Sequence, residues 1–69
     1  MSTLKKRSVN LHGHATSVTM EEPFWDCLKD IAKERAISLN ALIAEIDEQN
    51  EGNLSSALRV YILKTLQTT

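Results

Sequence analysis

The sequence predicts a small, mainly α domain with a short N-terminal β-ribbon. Three observations carry this. Residues 7–20 alternate polar and apolar with a period of two; from Glu22 onward the apolar residues recur at helical spacing; and 69 residues allow one domain and no more. The expected organisation is a flexible basic arm over 1–5 and a single domain over 6–69, with a strand region at 7–20 and helices near 22–36, 38–50 and 53–67.

The first strand segment is RSVNLH, with Val9 and Leu11 on one face and Ser8, Asn10 and His12 on the other. The second is ATSVTM, with Thr16, Val18 and Met20 facing one way and Ala15, Ser17 and Thr19 the other. Gly13-His14 fits a two-residue type II′ turn, which would set His12 against Ala15, Leu11 against Thr16 and Val9 against Val18. Alternatively only Ala15–Met20 is a working strand, pairing with its copy in a second chain. The two arrangements are compatible if paired central strands are flanked by Arg7–His12.

Glu21-Glu22-Pro23 opens the first helix: proline suits the first helical position, and acids suit the positive end of the helix dipole. Phe24, Trp25, Leu28, Ile31 and Ala32 form its apolar stripe. Ser38 is a good N-cap for the second helix, which carries Leu39, Leu42, Ile43 and Ile46 on one face. Asn50-Glu51-Gly52-Asn53 signals a turn, and Asn53 caps a third helix with Leu54, Leu58, Tyr61, Ile62 and Leu66 as its stripe.

A single core of this size supplies only about 3–5 kcal/mol without a staple. Cys27 is the sole cysteine, which excludes an intrachain disulfide. No Cys/His cluster has zinc spacing; His12 and His14 are two ligands at most. Oligomerisation is the remaining staple. Val18, Met20, Trp25, Leu28, Ile31, Leu42, Ile43 and Ile46 are therefore the candidate dimer core.

The net charge of −1 hides a division. Residues 1–20 carry Lys5, Lys6 and Arg7 and no acid, +3 in all, while residues 21–69 carry five bases and nine acids, −4. No apolar run approaches the ~20 residues of a membrane span, and none follows the basic N-terminus as in a signal peptide. A free thiol without an export signal is expected in the cytoplasm. No glycine-rich phosphate loop and no nucleophile with a matched base are present, so neither enzyme chemistry nor a cofactor is expected. Cys27, beside Asp26 in mid-helix, reads as a packed thiol rather than a redox sensor.

One strand, helix, tight turn and helix is also the order of a known family. TSVTM-EEPFWDCLKDIAKERAISLNALIAEI resembles the strand, the Pro-started first helix and the S-x-N-x-L-I opening of the second helix in ribbon-helix-helix domains of the Arc and MetJ type. That similarity covers roughly residues 15–47. With KRSVNLHGH before it and GNLSSALRVYILKTL after it, the chain resembles a bacterial subgroup throughout. The resemblance implies ribbon-helix-helix plus a third helix, an intertwined dimer whose strands pair as a ribbon on the DNA major groove. Ala15, Ser17 and Thr19 would face the bases, and Ser38, Leu39 and Asn40, at the start of the second helix, would anchor a phosphate. Free N–H groups and the helix dipole favour an anion there in any case.

Base-reading positions in the family usually hold long polar side chains, which discriminate bases best. Ala15, Ser17 and Thr19 are small, so they predict permissive readout. Longer polar groups lie on the leading segment: Lys5, Lys6, Arg7, Ser8, Asn10 and His12 complete the candidate DNA contacts, or the DNA role has weakened. The expected function is a dimeric transcriptional regulator binding double-stranded DNA, with a higher oligomer built on the third helix. The alternative is a protein-interaction module of the antitoxin or adaptor kind, working through its acidic helices.

Overall fold

The structure, a computed structural model, describes residues 4–50 and 52–67. The order is β1 (Leu4–Leu11), β2 (His14–Glu21), α1 (Glu22–Glu34), α2 (Leu39–Glu48) and α3 (Leu54–Gln67). β1 begins earlier than the sequence suggested, so Leu4 and Lys5 belong to the strand and not to an arm; residues 1–3 lie outside the described residues.

β1 and β2 form an antiparallel hairpin within the chain. Its turn is His12-Gly13 and not Gly13-His14. Both residues have positive φ, 53° and 83°, the signs of a type I′ turn. That turn matches the right-handed strand twist and favours glycine at its second central position, which is where Gly13 stands. The pairing therefore shifts from the expected register: Leu11 lies opposite His14, Val9 opposite Thr16 and Arg7 opposite Val18. Residues keep their faces, because moving the pairing by a whole two-residue period leaves the alternation intact. His12 is the exception; it leaves the strand for the turn, and His14 joins β2 instead.

α1 ends one residue before Arg35 through a left-handed residue, Ala36, with φ 57°. The Ala36 and Ile37 amides donate to the Lys33 and Ala32 carbonyls at 3.1 and 3.0 Å. This is the Schellman ending, usually built on glycine. The expected caps are in place: Ser38 Oγ accepts from the Ala41 amide at 3.0 Å, and Asn53 Oδ1 accepts from the Ser56 amide at 3.0 Å. Asn50 closes the α2–α3 turn by accepting from the Gly52 amide and donating to its carbonyl.

The hairpin lies over the three helices. One chain buries Val9, Leu11, Val18, Met20, Trp25, Leu28, Ile31, Ala32, Leu42, Ile43, Leu58 and Ile62 together. Of the eight positions expected to form a core shared between two chains, only Ile46 is not buried within one. The cover that a second chain was expected to supply comes from β1 (Val9, Leu11) and α3 (Leu58, Ile62).

Candidate nucleic-acid interface

Strand alternation divides the ribbon into an inner and an outer face. On the outer face the cross-strand pairs are Lys6–Thr19, Ser8–Ser17 and Asn10–Ala15, all exposed. The candidate base contacts of the two segments thus form one continuous surface. It offers hydroxyl and amide groups, and Lys6 is its cation. His12 stands at the exposed tip, in the turn.

The alternation also breaks up the basic cluster read from the sequence. Lys5 and Arg7 project to the helix side, level with Met20 and Val18. Lys5 Nζ donates to Glu22 Oε1 at 3.2 Å. The Arg7 guanidinium stacks over the Trp25 ring, 4.7 Å from its centroid, and its buried Nε has no hydrogen-bond partner among the described residues. A cation over an aromatic face is held there electrostatically, more strongly as it loses water. Lys5, Lys6 and Arg7 therefore do not form one patch: Lys6 alone faces outward.

Backbone contacts fix the ribbon on the helices at two diagonal corners. Asn40 donates its side-chain amide to the Asn10 carbonyl at 2.5 Å, joining the start of α2 to β1 near the turn. At the other corner the Thr19 amide donates to Ser55 Oγ at 3.2 Å, and Arg59 donates to the Thr19 carbonyl at 3.3 Å. Arg59 also donates to Glu21 Oε1 through two nitrogens, at 3.0 and 3.1 Å, and lies 5.9 Å from the Phe24 ring centroid. The Glu21 carboxyl is held below its ordinary pKa, first by its own backbone N–H and then by Arg59.

The three expected phosphate-anchor residues divide their work. Ser38 caps α2, Leu39 is half-buried against the core, and Asn40 ties the helix start to the ribbon. The opening of α2 is thereby placed beside the turn end of β1. Sequence reasoning missed Ser55, Arg59 and Glu21 as a group. Each is an ordinary helix or strand-end residue in the sequence, 34 to 38 positions apart across the clamp, and no local period links them.

The ribbon-helix-helix domain model matches residues 4–66. The chain belongs to the ribbon-helix-helix family. Members of this family typically bind DNA as dimers, and the fold is a non-enzymatic one. No curated protein matches the chain. Among solved structures it is similar to an uncharacterized protein from Bordetella pertussis Tohama I, with a TM-score of 0.77 and 35% identity over 96% of this chain. The match covers 59% of that protein's length, so this chain spans under two thirds of it. Among the described residues no helix is long and apolar enough to cross a membrane.

Proposed function

We propose that this protein is a cytoplasmic, DNA-binding transcriptional regulator that works as a dimer and places the outer face of its ribbon in the major groove. The observation that carries the reading is the alignment of Lys6, Ser8, Asn10, Ala15, Ser17 and Thr19 on one exposed face of a family whose members bind DNA. A two-stranded ribbon has the width to enter the groove. Ser, Thr and Asn can bond base edges, Ala15 and the Thr19 methyl can touch a thymine methyl, and Lys6 reaches for a phosphate. The start of α2, beside the turn end of β1, is the place for a second phosphate.

The expected partition follows from these positions. Lys6→Ala should weaken binding to every sequence and lower the salt slope by about 0.9 for each chain whose Lys6 contacts the DNA, the release of roughly one counterion per Lys6. Lys5→Ala should have a smaller effect, since Lys5 is engaged with Glu22. Fluorescence anisotropy with random-sequence duplex at several salt concentrations reads both. Salt-independent affinity, or a Lys6→Ala slope equal to that of the parent, rejects the groove reading.

A second reading, a protein-interaction module working through its helices, is favoured by one observation. The ribbon's outer face keeps a single cation, while α3 exposes Val60, Leu63 and Leu66. Absence of DNA binding at low salt by a folded protein would favour it.

A further inference from the structure

We propose that Ser55 and Arg59 of α3 are positioning residues for sequence recognition: they hold the backbone of Thr19 so that its side chain meets a base edge at a fixed height and angle. The inference rests on the reading of the ribbon's outer face as a DNA surface and brings the third helix into that reading.

Thr19 stands opposite Lys6 on the outer face, with its side chain exposed. In an antiparallel pair, backbone groups alternate between bonding the partner strand and pointing away from it. The Thr19 amide donates to Ser55 Oγ at 3.2 Å, and the Thr19 carbonyl accepts from Arg59 Nη2 at 3.3 Å, so both groups point away from β1. Ala15 and Ser17 lie in phase with Thr19 on the same strand. Among the described residues, α3 grips the backbone of Thr19 alone of these three.

Ser55 and Arg59 are four residues apart on α3, so both side chains leave one face of the helix. Arg59 is anchored in turn. Its Nε and Nη2 donate to Glu21 Oε1 at 3.1 and 3.0 Å, and its guanidinium lies 5.9 Å from the Phe24 ring centroid. The planar fork lets one side chain reach the Glu21 carboxylate and the Thr19 carbonyl together, which the point charge of a lysine does not reproduce. Glu21 is the N-cap residue of α1, so the clamp ties α3 both to the strand and to the helix that follows it. Glu21 also balances the charge of Arg59, which leaves Arg59 to hold the strand rather than to draw in a phosphate.

The chemistry of the outer face explains why holding matters. A long arginine or lysine adjusts several torsions when the backbone beneath it shifts. Threonine is short and stiff at its one side-chain torsion, so its hydroxyl and methyl go where the backbone puts them. A recognition group must be held to within about 0.5 Å to work. A face that reads through Ser17, Thr19 and Ala15 therefore depends on its backbone being fixed, and α3 fixes it at Thr19. At the opposite corner Asn40 grips the Asn10 carbonyl in the same manner.

Selection from a randomised duplex library, with the full chain, gives the sequence that the parent prefers. Fluorescence anisotropy then gives the ratio of its affinity to that for random duplex. Ser55→Ala and Arg59→Lys should each lower this ratio roughly tenfold, about the discrimination of one base contact, and leave the affinity for random duplex unchanged. Ser55→Thr keeps the hydroxyl and should keep the ratio. Thr19→Ala should lower the ratio as well, and adding Ser55→Ala to it should lower it no further, because Ser55 acts through Thr19. A merely structural defect reduces the folded fraction, weakens both duplexes alike and leaves the ratio unchanged. Parental ratios in Ser55→Ala and Arg59→Lys overturn the proposal, as do additive losses in the Thr19→Ala background. A salt slope lower by about 0.9 per chain in Arg59→Gln also overturns it, since Arg59 is then a phosphate contact. A parent that binds random duplex but enriches no sequence overturns it and leaves DNA binding standing. A parent that binds no duplex refutes the DNA reading itself, and this role of the clamp with it.

Discussion

Leu58→Ala tests whether α3 is part of the core or an attachment to a two-helix domain. Leu58 is 0% exposed and belongs to the one buried cluster, on a helix that packs against α1, α2 and β2. The substitution removes three buried carbons, worth about 2.4 kcal/mol at about 0.8 kcal/mol each. The cavity left behind adds about 24 cal/mol for each Å³ that the neighbours fail to fill, which brings the expected loss to about 3 kcal/mol. Against a total of about 3–5 kcal/mol for a single small core, most of the stability goes. At about 4–8 °C per kcal/mol the thermal midpoint should fall by about 12–24 °C. Urea unfolding followed by circular dichroism measures the loss directly. Leu63→Ala, at the exposed side of the same helix, is the control and should cost under about 0.5 kcal/mol. A loss below about 1 kcal/mol in Leu58→Ala would refute the reasoning, because a fully buried leucine cannot be removed so cheaply from a packed core.

Other outcomes follow from backbone and charge. His12 and Ala36 are non-glycine residues with positive φ, at 53° and 57°, so His12→Asn and Ala36→Gly should each raise stability by about 0.5–1 kcal/mol in the same unfolding assay; a loss in either would mean that the side chain contributes more than the backbone strain costs. Glu21 has a folded pKa below its ordinary value of 4.5, so its contribution is present above the unfolded pKa and is lost as pH falls through the folded one. Thermal midpoints should therefore decline below pH 4.5, and Glu21→Gln should flatten that decline. An equally steep decline in the variant would place the effect on other carboxyls.

Local rules made much of this protein legible. Period-two alternation assigned the two faces of the ribbon, and Ser8, Asn10, Ala15, Ser17 and Thr19 share one face as read, joined by Lys6 from the basic cluster and left by His12. Proline at the start of α1, Ser38 at α2 and Asn53 at α3 placed the helix starts, because a cap acts over three or four residues and leaves its mark there. The turn was misplaced by one residue, since Gly13 suits either the first position of a type II′ turn or the second of a type I′ turn. His12 decided between them by accepting a positive φ, which its residue type does not announce.

What the sequence by itself determined, then, is periodicity, capping and the division of charge along the chain. Only the tertiary structure decided how that charge is used. Lys5 and Arg7 stand next to Lys6 in the sequence, but neighbours on a strand point to opposite faces, and the inner side offered Glu22 and the Trp25 ring. It also decided that one chain closes its own core. Whether Leu58 and Ile62 cover Met20 and Leu42 or face another molecule depends on where α3 returns, and that is set by contacts such as Arg59 with Glu21 and Thr19, 38 and 40 residues apart. Such contacts carry no sequence period, because the chain between them only has to be long enough to let them meet.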